Sequence, residues 1–137
     1  MKARIREKLR EMDLALEKVE DNLPESFEEF EGMALEKDGI YKNVEIAIQS
    51  AYDICALIVK EENLGVPDEE ESFPELAAEE GIITDSLSEK LKDMKGFRNA
   101  LAHKYGAIDD EIAYENISRG IEDFEQFRSR IKDYLEN

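Results

Sequence analysis

The stretch Ile40-Tyr41-Lys42-Asn43-Val44-Glu45-Ile46-Ala47-Ile48-Gln49-Ser50-Ala51-Tyr52-Asp53-Ile54-Cys55-Ala56-Leu57-Ile58-Val59-Lys60-Glu61-Glu62 decides the fold. Ile40, Val44, Ala47, Ala51, Ile54 and Ile58 recur at steps of three and four, the period of one helix face. Ile46, Ile48, Leu57 and Val59 widen that face. A helix this apolar has to be covered on several sides, so it belongs at the centre of a helical bundle. Gln49 and Asp53 lie four apart on one face of it, either at the surface or with one of them serving a buried cation.

On the N-terminal side, Ile5, Leu9, Met12, Leu16, Val19 and Leu23 form a narrow seam over a helix spanning 2–22, and Pro24 ends it. Ser26 is a cap for a short segment carrying Phe27 and Phe30. Gly32 and Gly39 leave open whether residues 24–40 form one bent helix or two. On the C-terminal side, Asn63-Leu64-Gly65-Val66-Pro67 stops the central helix and an acidic loop follows. A short helix starts at Ser72-Phe73-Pro74, runs through Glu80 and is closed by Gly81. Thr84 or Ser86 caps the next helix, and Ser86 with Glu89 has capping-box spacing. Asp109 opens the last helix, whose stripe is Ile117, Ile121, Phe124, Phe127 or Arg128, Ile131 and Leu135. No stretch alternates like a strand and none repeats. The expectation is an all-α fold, an antiparallel bundle of four long helices with short extra ones, in one domain spanning 1–137.

The bulk properties narrow the class. A length of 137 residues suits a single core. There is no apolar run long enough for a membrane span, and the start of the chain is charged and periodic rather than leader-like. One cysteine, Cys55, forbids an intramolecular disulfide and reads as a small core residue. These features predict a cytoplasmic protein. Gly-rich phosphate loops, CxxC pairs and His clusters are all missing, so no cofactor and no metal site is expected. The net charge of −17 argues against tight, extended nucleic-acid binding. The distribution is uneven, however: Lys90, Lys92, Lys95, Arg98 and Lys104 face only Asp93 between positions 90 and 105. A basic segment on an acidic body can still hold a phosphate locally.

The same segment carries the only concentration of chemistry, Lys95-Gly96-Phe97-Arg98-Asn99-Ala100-Leu101-Ala102-His103-Lys104-Tyr105. His103 is the sole histidine. Leu87, Leu91, Met94 and Leu101 make a helical stripe with Arg98 in its gap and Tyr105 as its continuation. An arginine on a core stripe is costly unless it is paired or opens onto a cleft, and Asp53 is a candidate structural partner for it. Gly96, Asn99 and His103 share a second face; the glycine costs about 1 kcal/mol relative to alanine, which a close approach at that point would explain. Arg98 and His103 stand roughly 140° apart on an ideal helix, so they converge only from adjoining faces or through a loosened last turn. Taken singly, His103 is more often a helix-end cap, Arg98 a structural ion pair and Tyr105 a core residue. Their combination makes the case for function.

Arg98-Asn99-x3-His103-x-Tyr105 resembles the Arg-x4-6-His motif of the HEPN ribonuclease superfamily, and more closely the Arg-x4-His-x-Tyr motif of the HepT toxins. Glu45-Ile46-Ala47-Ile48-Gln49-Ser50-Ala51, Gly65-Val66-Pro67, Leu76-Ala77 and Gly81-Ile82-Ile83 follow the family's order, so the resemblance spans about residues 35–120. It implies a metal-independent endoribonuclease toxin with Arg98 and His103 catalytic and Asn99 and Tyr105 supporting. It also implies two motifs meeting at a homodimer interface. The partner it implies is an MntA-like nucleotidyltransferase antitoxin that silences the toxin by transferring AMP to Tyr105. The residues support the dimer in their own way: cleavage by the RNA 2′-OH needs a base, an acid and positive charge, and one chain offers one histidine. Two other readings stand beside this. One is a non-catalytic helical subunit that holds a nucleotidyltransferase or its substrate. The other is a purely structural bundle whose acidic surface meets a basic partner.

Overall fold

The computed structural model describes residues 1–69, 72–103 and 108–137, without the side chains of Ala102 and His103. Its helices are α1 (Lys2–Asn22), α2 (Phe27–Glu31), α3 (Leu35–Glu61), α4 (Ser72–Glu79), α5 (Asp85–His103) and α6 (Asp110–Glu136). No strand occurs among the described residues.

The central apolar run is α3, and its burial accounts for the rest of the arrangement. Ile40, Val44, Ala47, Ala51, Ile54 and Ile58 are buried as their spacing predicts, and so are Ile48, Tyr52, Cys55 and Val59 on an adjoining face. α1, α4 and α5 pack against α3. α1 delivers Ile5, Leu9, Met12, Leu16 and Val19 to the core, and Ala15 makes room for close approach. α5 delivers Leu87, Leu91 and Leu101; α6 contributes Ala113, Ile117, Phe124, Phe127, Ile131 and Leu135.

Polar contacts between the helices fix their directions. Lys8 of α1 stands 3.5 Å from Asp53 of α3. Arg128 of α6 donates to Asp13 of α1 at 2.6 Å, while Lys2 reaches the Asn137 carbonyl at 3.4 Å. Lys90 of α5 pairs with Asp123 of α6 at 2.9 Å. The Tyr52 hydroxyl on α3 donates to the Leu91 carbonyl on α5 at 2.9 Å. Neighbouring long helices therefore run antiparallel around the bundle, α1 beside α3, α3 beside α5, α5 beside α6 and α6 beside α1.

The helix ends follow local chemistry. Ser26 Oγ accepts from the Glu29 amide, and Asp109 Oδ1 accepts from the amides of Glu111 and Ile112. Gly81 takes the left-handed φ of 80° that ends α4, and the α6 guanidinium of Arg130 donates to the carbonyls of Gly81 and Ile82 at 2.6 and 3.1 Å.

The structure settles three alternatives that the sequence left open and corrects one detail, the burial of Ile46 and Leu57. α3 begins at Leu35 and carries Gly39 within it, so the chain before it forms a separate short α2 rather than one bent helix. A glycine costs a helix only about 1 kcal/mol, and packing of Ile40, Tyr41 and Val44 outweighs that. Thr84, not Ser86, caps α5: its Oγ1 accepts from the Leu87 amide at 3.0 Å. Ile46 is exposed and Leu57 only half-buried, because α3 keeps one face to solvent. Phe127 rather than Arg128 completes the α6 stripe, since Arg128 turns to Asp13.

Replacement of fully buried Ile54 by alanine leaves a void in the core beneath α3. Urea denaturation is expected to show a loss of about 2–5 kcal/mol. A loss below about 0.5 kcal/mol would mean that the core does not pack around this residue.

Candidate active site

α5 carries the basic segment, and its apolar stripe sets which way the segment faces. Leu87, Leu91 and Leu101 point inward, with Met94 and Phe97 packed against the core edge. The rotation about the α5 axis is fixed further by the Tyr52–Leu91 hydrogen bond. The Lys95 ammonium lies 5.8 Å from the centre of the Tyr52 ring, on the solvent side of that bond. Lys92 pairs with Glu75 of α4 and stands 3.8 Å from Glu89.

Arg98 fills the gap in the stripe and is half-buried at the bundle margin. Its Nη2 lies 3.4 Å from Asn99 Oδ1, which orients the guanidinium along the surface of α5. Asp53, expected as a structural partner for Arg98, is engaged elsewhere. It accepts from Gln49 Nε2 at 2.8 Å and faces Lys8 at 3.5 Å, because its side of α3 turns towards α1. Gly96 is exposed, and a Cβ built there would meet nothing within 4 Å. Among the described residues, nothing makes the close approach expected at Gly96.

α5 stays α-helical through His103. The backbone positions of Arg98 and His103 are thus about 140° apart around the axis, with no loosening of the turn between them. The His103 side chain and all of Tyr105 lie outside the described residues, so of the four motif residues it is Arg98 and Asn99 that the structure brings together.

The start of α6 is gripped by contacts that the sequence did not reveal. Asp110, the first residue of α6, receives Lys37 Nζ at 2.8 Å and the Tyr41 hydroxyl at 2.5 Å, both from the first turns of α3. Phe30 of α2 packs edge-on against Tyr41, and Lys37 sits 5.6 Å above its ring. Tyr114, one turn into α6, donates to the Pro24 carbonyl at 2.5 Å. Burial works to raise the Asp110 pKa, but hydrogen bonds from Lys37 and Tyr41 and the Lys37 charge hold it below the ordinary value. Burial and the Asp110 carboxylate push the Tyr41 hydroxyl far above its usual pKa, so it stays a donor. Buried Cys55 is pushed up to about 12, which makes it an inert thiol. Among the described residues no three His, Cys, Asp or Glu side chains gather as a metal site, and no helix is long and apolar enough to cross a membrane.

Comparison with known proteins follows the same lines. The family model for ribonuclease HepT-like proteins matches residues 12–131. The mRNA nuclease HepT of Shewanella oneidensis is 32% identical over 96 residues, covering 70% of this chain and 72% of the relative. An Archaeoglobus fulgidus protein is 34% identical over 102 residues, or 74% of this chain and 76% of its own length. Among solved structures, the tri-AMPylated Shewanella oneidensis HEPN toxin in complex with its MNT antitoxin superposes with a TM-score of 0.86 at 26% identity, covering 94% of this chain and 96% of the toxin.

The depressed pKa of Asp110 fixes the sign of a pH effect. Its contribution to stability is complete above the ordinary carboxylate value of 3.8 and is lost as pH falls through the lower value of the folded protein. Asp110→Asn is expected to lower urea stability at pH 7, with the gap to the parent protein shrinking below about pH 4. A gap of constant size down to about pH 2 would contradict a charged Asp110 as the Lys37 partner.

Proposed function

The chain belongs to the ribonuclease HepT-like family, and on that premise we propose that it is an RNA-cleaving toxin held in check by a nucleotidyltransferase antitoxin. The observation that carries this reading is a half-buried arginine, oriented by the asparagine next to it, on a helix that ends with the only histidine of the chain. That pair supplies the positive charge and the proton-transfer group that attack by an RNA 2′-hydroxyl on the adjacent phosphate demands. Arg98 binds the phosphoryl oxygens and stabilises the charge that develops on them. His103 takes the proton from the 2′-hydroxyl or gives one to the departing 5′-oxygen. Asn99 keeps the guanidinium in place, and Tyr105 lines the cleft. This chemistry requires no metal ion.

One helix does not aim Arg98 and His103 at a single point, and one histidine does not serve as acid and base together. Two protomers related by a two-fold axis, with their α5 ends facing across a shared cleft, supply both roles. Gly96 and Asn99, both exposed on α5, suit such an approach. The whole of residues 1–137 then acts as one domain in a cytoplasmic homodimer.

Tyr105 is the point of control. The toxin of the Shewanella oneidensis complex is tri-AMPylated. AMP groups on Tyr105 would put phosphates beside Arg98, where they occupy the substrate phosphate position and repel RNA. A second reading, a non-catalytic subunit that holds the nucleotidyltransferase, keeps Arg98 and His103 as phosphate binders alone.

The test is cleavage of mixed cellular RNA in EDTA by verified dimers free of AMP. Arg98→Ala and His103→Ala should each slow cleavage by about 100-fold or more. Tyr105→Phe should cut RNA but resist silencing by the antitoxin and ATP. Absence of cleavage by the parent dimer on any RNA would transfer the assignment to the non-catalytic subunit.

A further inference from the structure

Arg98 and His103 leave α5 about 140° apart, and Lys95 stands in the interval between them. At about 100° per residue, position 95 lies about 60° from Arg98 on one side and about 80° from His103 on the other. It is one turn before Arg98, and Asn99 is one turn beyond it on the same face. Lys95 and Arg98 are both half-buried at the bundle margin. The other lysines of α5 are each bound to a carboxylate of a neighbouring helix, Lys90 to Asp123 of α6 at 2.9 Å and Lys92 to Glu75 of α4.

Lys95 is held in position by the core. Its ammonium lies 5.8 Å from the centre of the Tyr52 ring. Tyr52 is itself almost fully buried and fixed by its hydrogen bond to the Leu91 carbonyl. A ring face attracts the charge of an ammonium without using up its three N–H donors. A lysine so placed loses less side-chain freedom on meeting an anion than one extended into solvent. The Lys95 head is tied to Tyr52 beside Leu91, and the Arg98 head to Asn99, which draws the two apart along α5. Two cations arranged in this way suit two phosphates of one strand better than a single phosphate.

We propose that Lys95 is a further substrate-binding residue of the ribonuclease site, holding the phosphate next to the scissile one while Arg98 holds the scissile phosphate itself. The inference rests on the ribonuclease reading and deepens it, because a site built in this way recognises two successive phosphates of a strand. The neighbouring phosphate keeps the same charge throughout the reaction. Its contact with Lys95 is therefore equally strong in the ground state and the transition state, and it acts on KM and not on kcat.

The experiment uses the purified dimer and an RNA that it cuts at a mapped position. That RNA is resynthesised with a neutral methylphosphonate in place of the phosphate one nucleotide before, or one nucleotide after, the scissile bond. On the unaltered RNA, Lys95→Gln should raise KM about 10-fold and change kcat by less than about two-fold. Lys95→Arg should bring KM back to within about three-fold of the parent value. At one of the two neighbouring positions the methylphosphonate should raise the KM of the parent protein about 10-fold, yet that of Lys95→Gln by less than about two-fold, since the contact is already gone. Losses that multiply independently at both positions would overturn the assignment, and so would a parent KM indifferent to both methylphosphonates. A lysine that only props the Tyr52 ring predicts something else: Lys95→Gln then lowers kcat together with the urea midpoint, whatever the charge of the neighbouring group. Active parent protein with uncoupled losses sinks this inference alone. A parent protein that cuts no RNA sinks the ribonuclease reading and the inference with it.

Discussion

Burial of α3 on two adjoining faces is the constraint from which the remaining structure follows. α1, α4 and α5 all pack against α3, and Tyr52 meets α5 at Leu91. Removing this much apolar surface from water is the main force for assembly. It also determines where polar groups go. Tyr52, almost fully buried, places its hydroxyl on the Leu91 carbonyl and so fixes the rotation of α5 about its axis. With that rotation set, Lys95, Arg98 and Asn99 stand at the bundle margin.

The start of α6 is held by a separate set of contacts. Lys37 and Tyr41 at the start of α3 secure Asp110 at the start of α6, and Phe30 and Tyr114 pack around them. The segment carrying Tyr105 is therefore bounded by two fixed points, His103 at the end of α5 and the Asp109–Asp110 cap of α6.

The periodic apolar positions made the four long helices legible in the sequence, and side-chain chemistry at Ser26 and Asp109 marked two of the starts. Position-specific competition was not legible. Gly39 left the start of α3 undecided, and the packing of α3 absorbs its cost; Ser86 fits a capping box, but Thr84, the alternative, starts the helix earlier. Ile46 fits the apolar run but faces solvent, because an exposed strip of α3 remains between α1 and α5. At the site, Arg98 could be singled out because it interrupts a stripe. Its relation to Asp53 could not, since that depends on the rotation of α3 against α1. The Lys37–Asp110–Tyr41 anchor joins residues about seventy positions apart, and no local pattern announces it.

The central claim is that RNA is cut by its own 2′-hydroxyl under the direction of Arg98 and His103. The most direct measurement is mass spectrometry of the ends left on a defined RNA cut by the purified dimer in EDTA. The account predicts 2′,3′-cyclic phosphate on one fragment and a 5′-hydroxyl on the other. Fragments with a 3′-hydroxyl and a 5′-phosphate would contradict it, because water rather than the 2′-oxygen would then be the nucleophile.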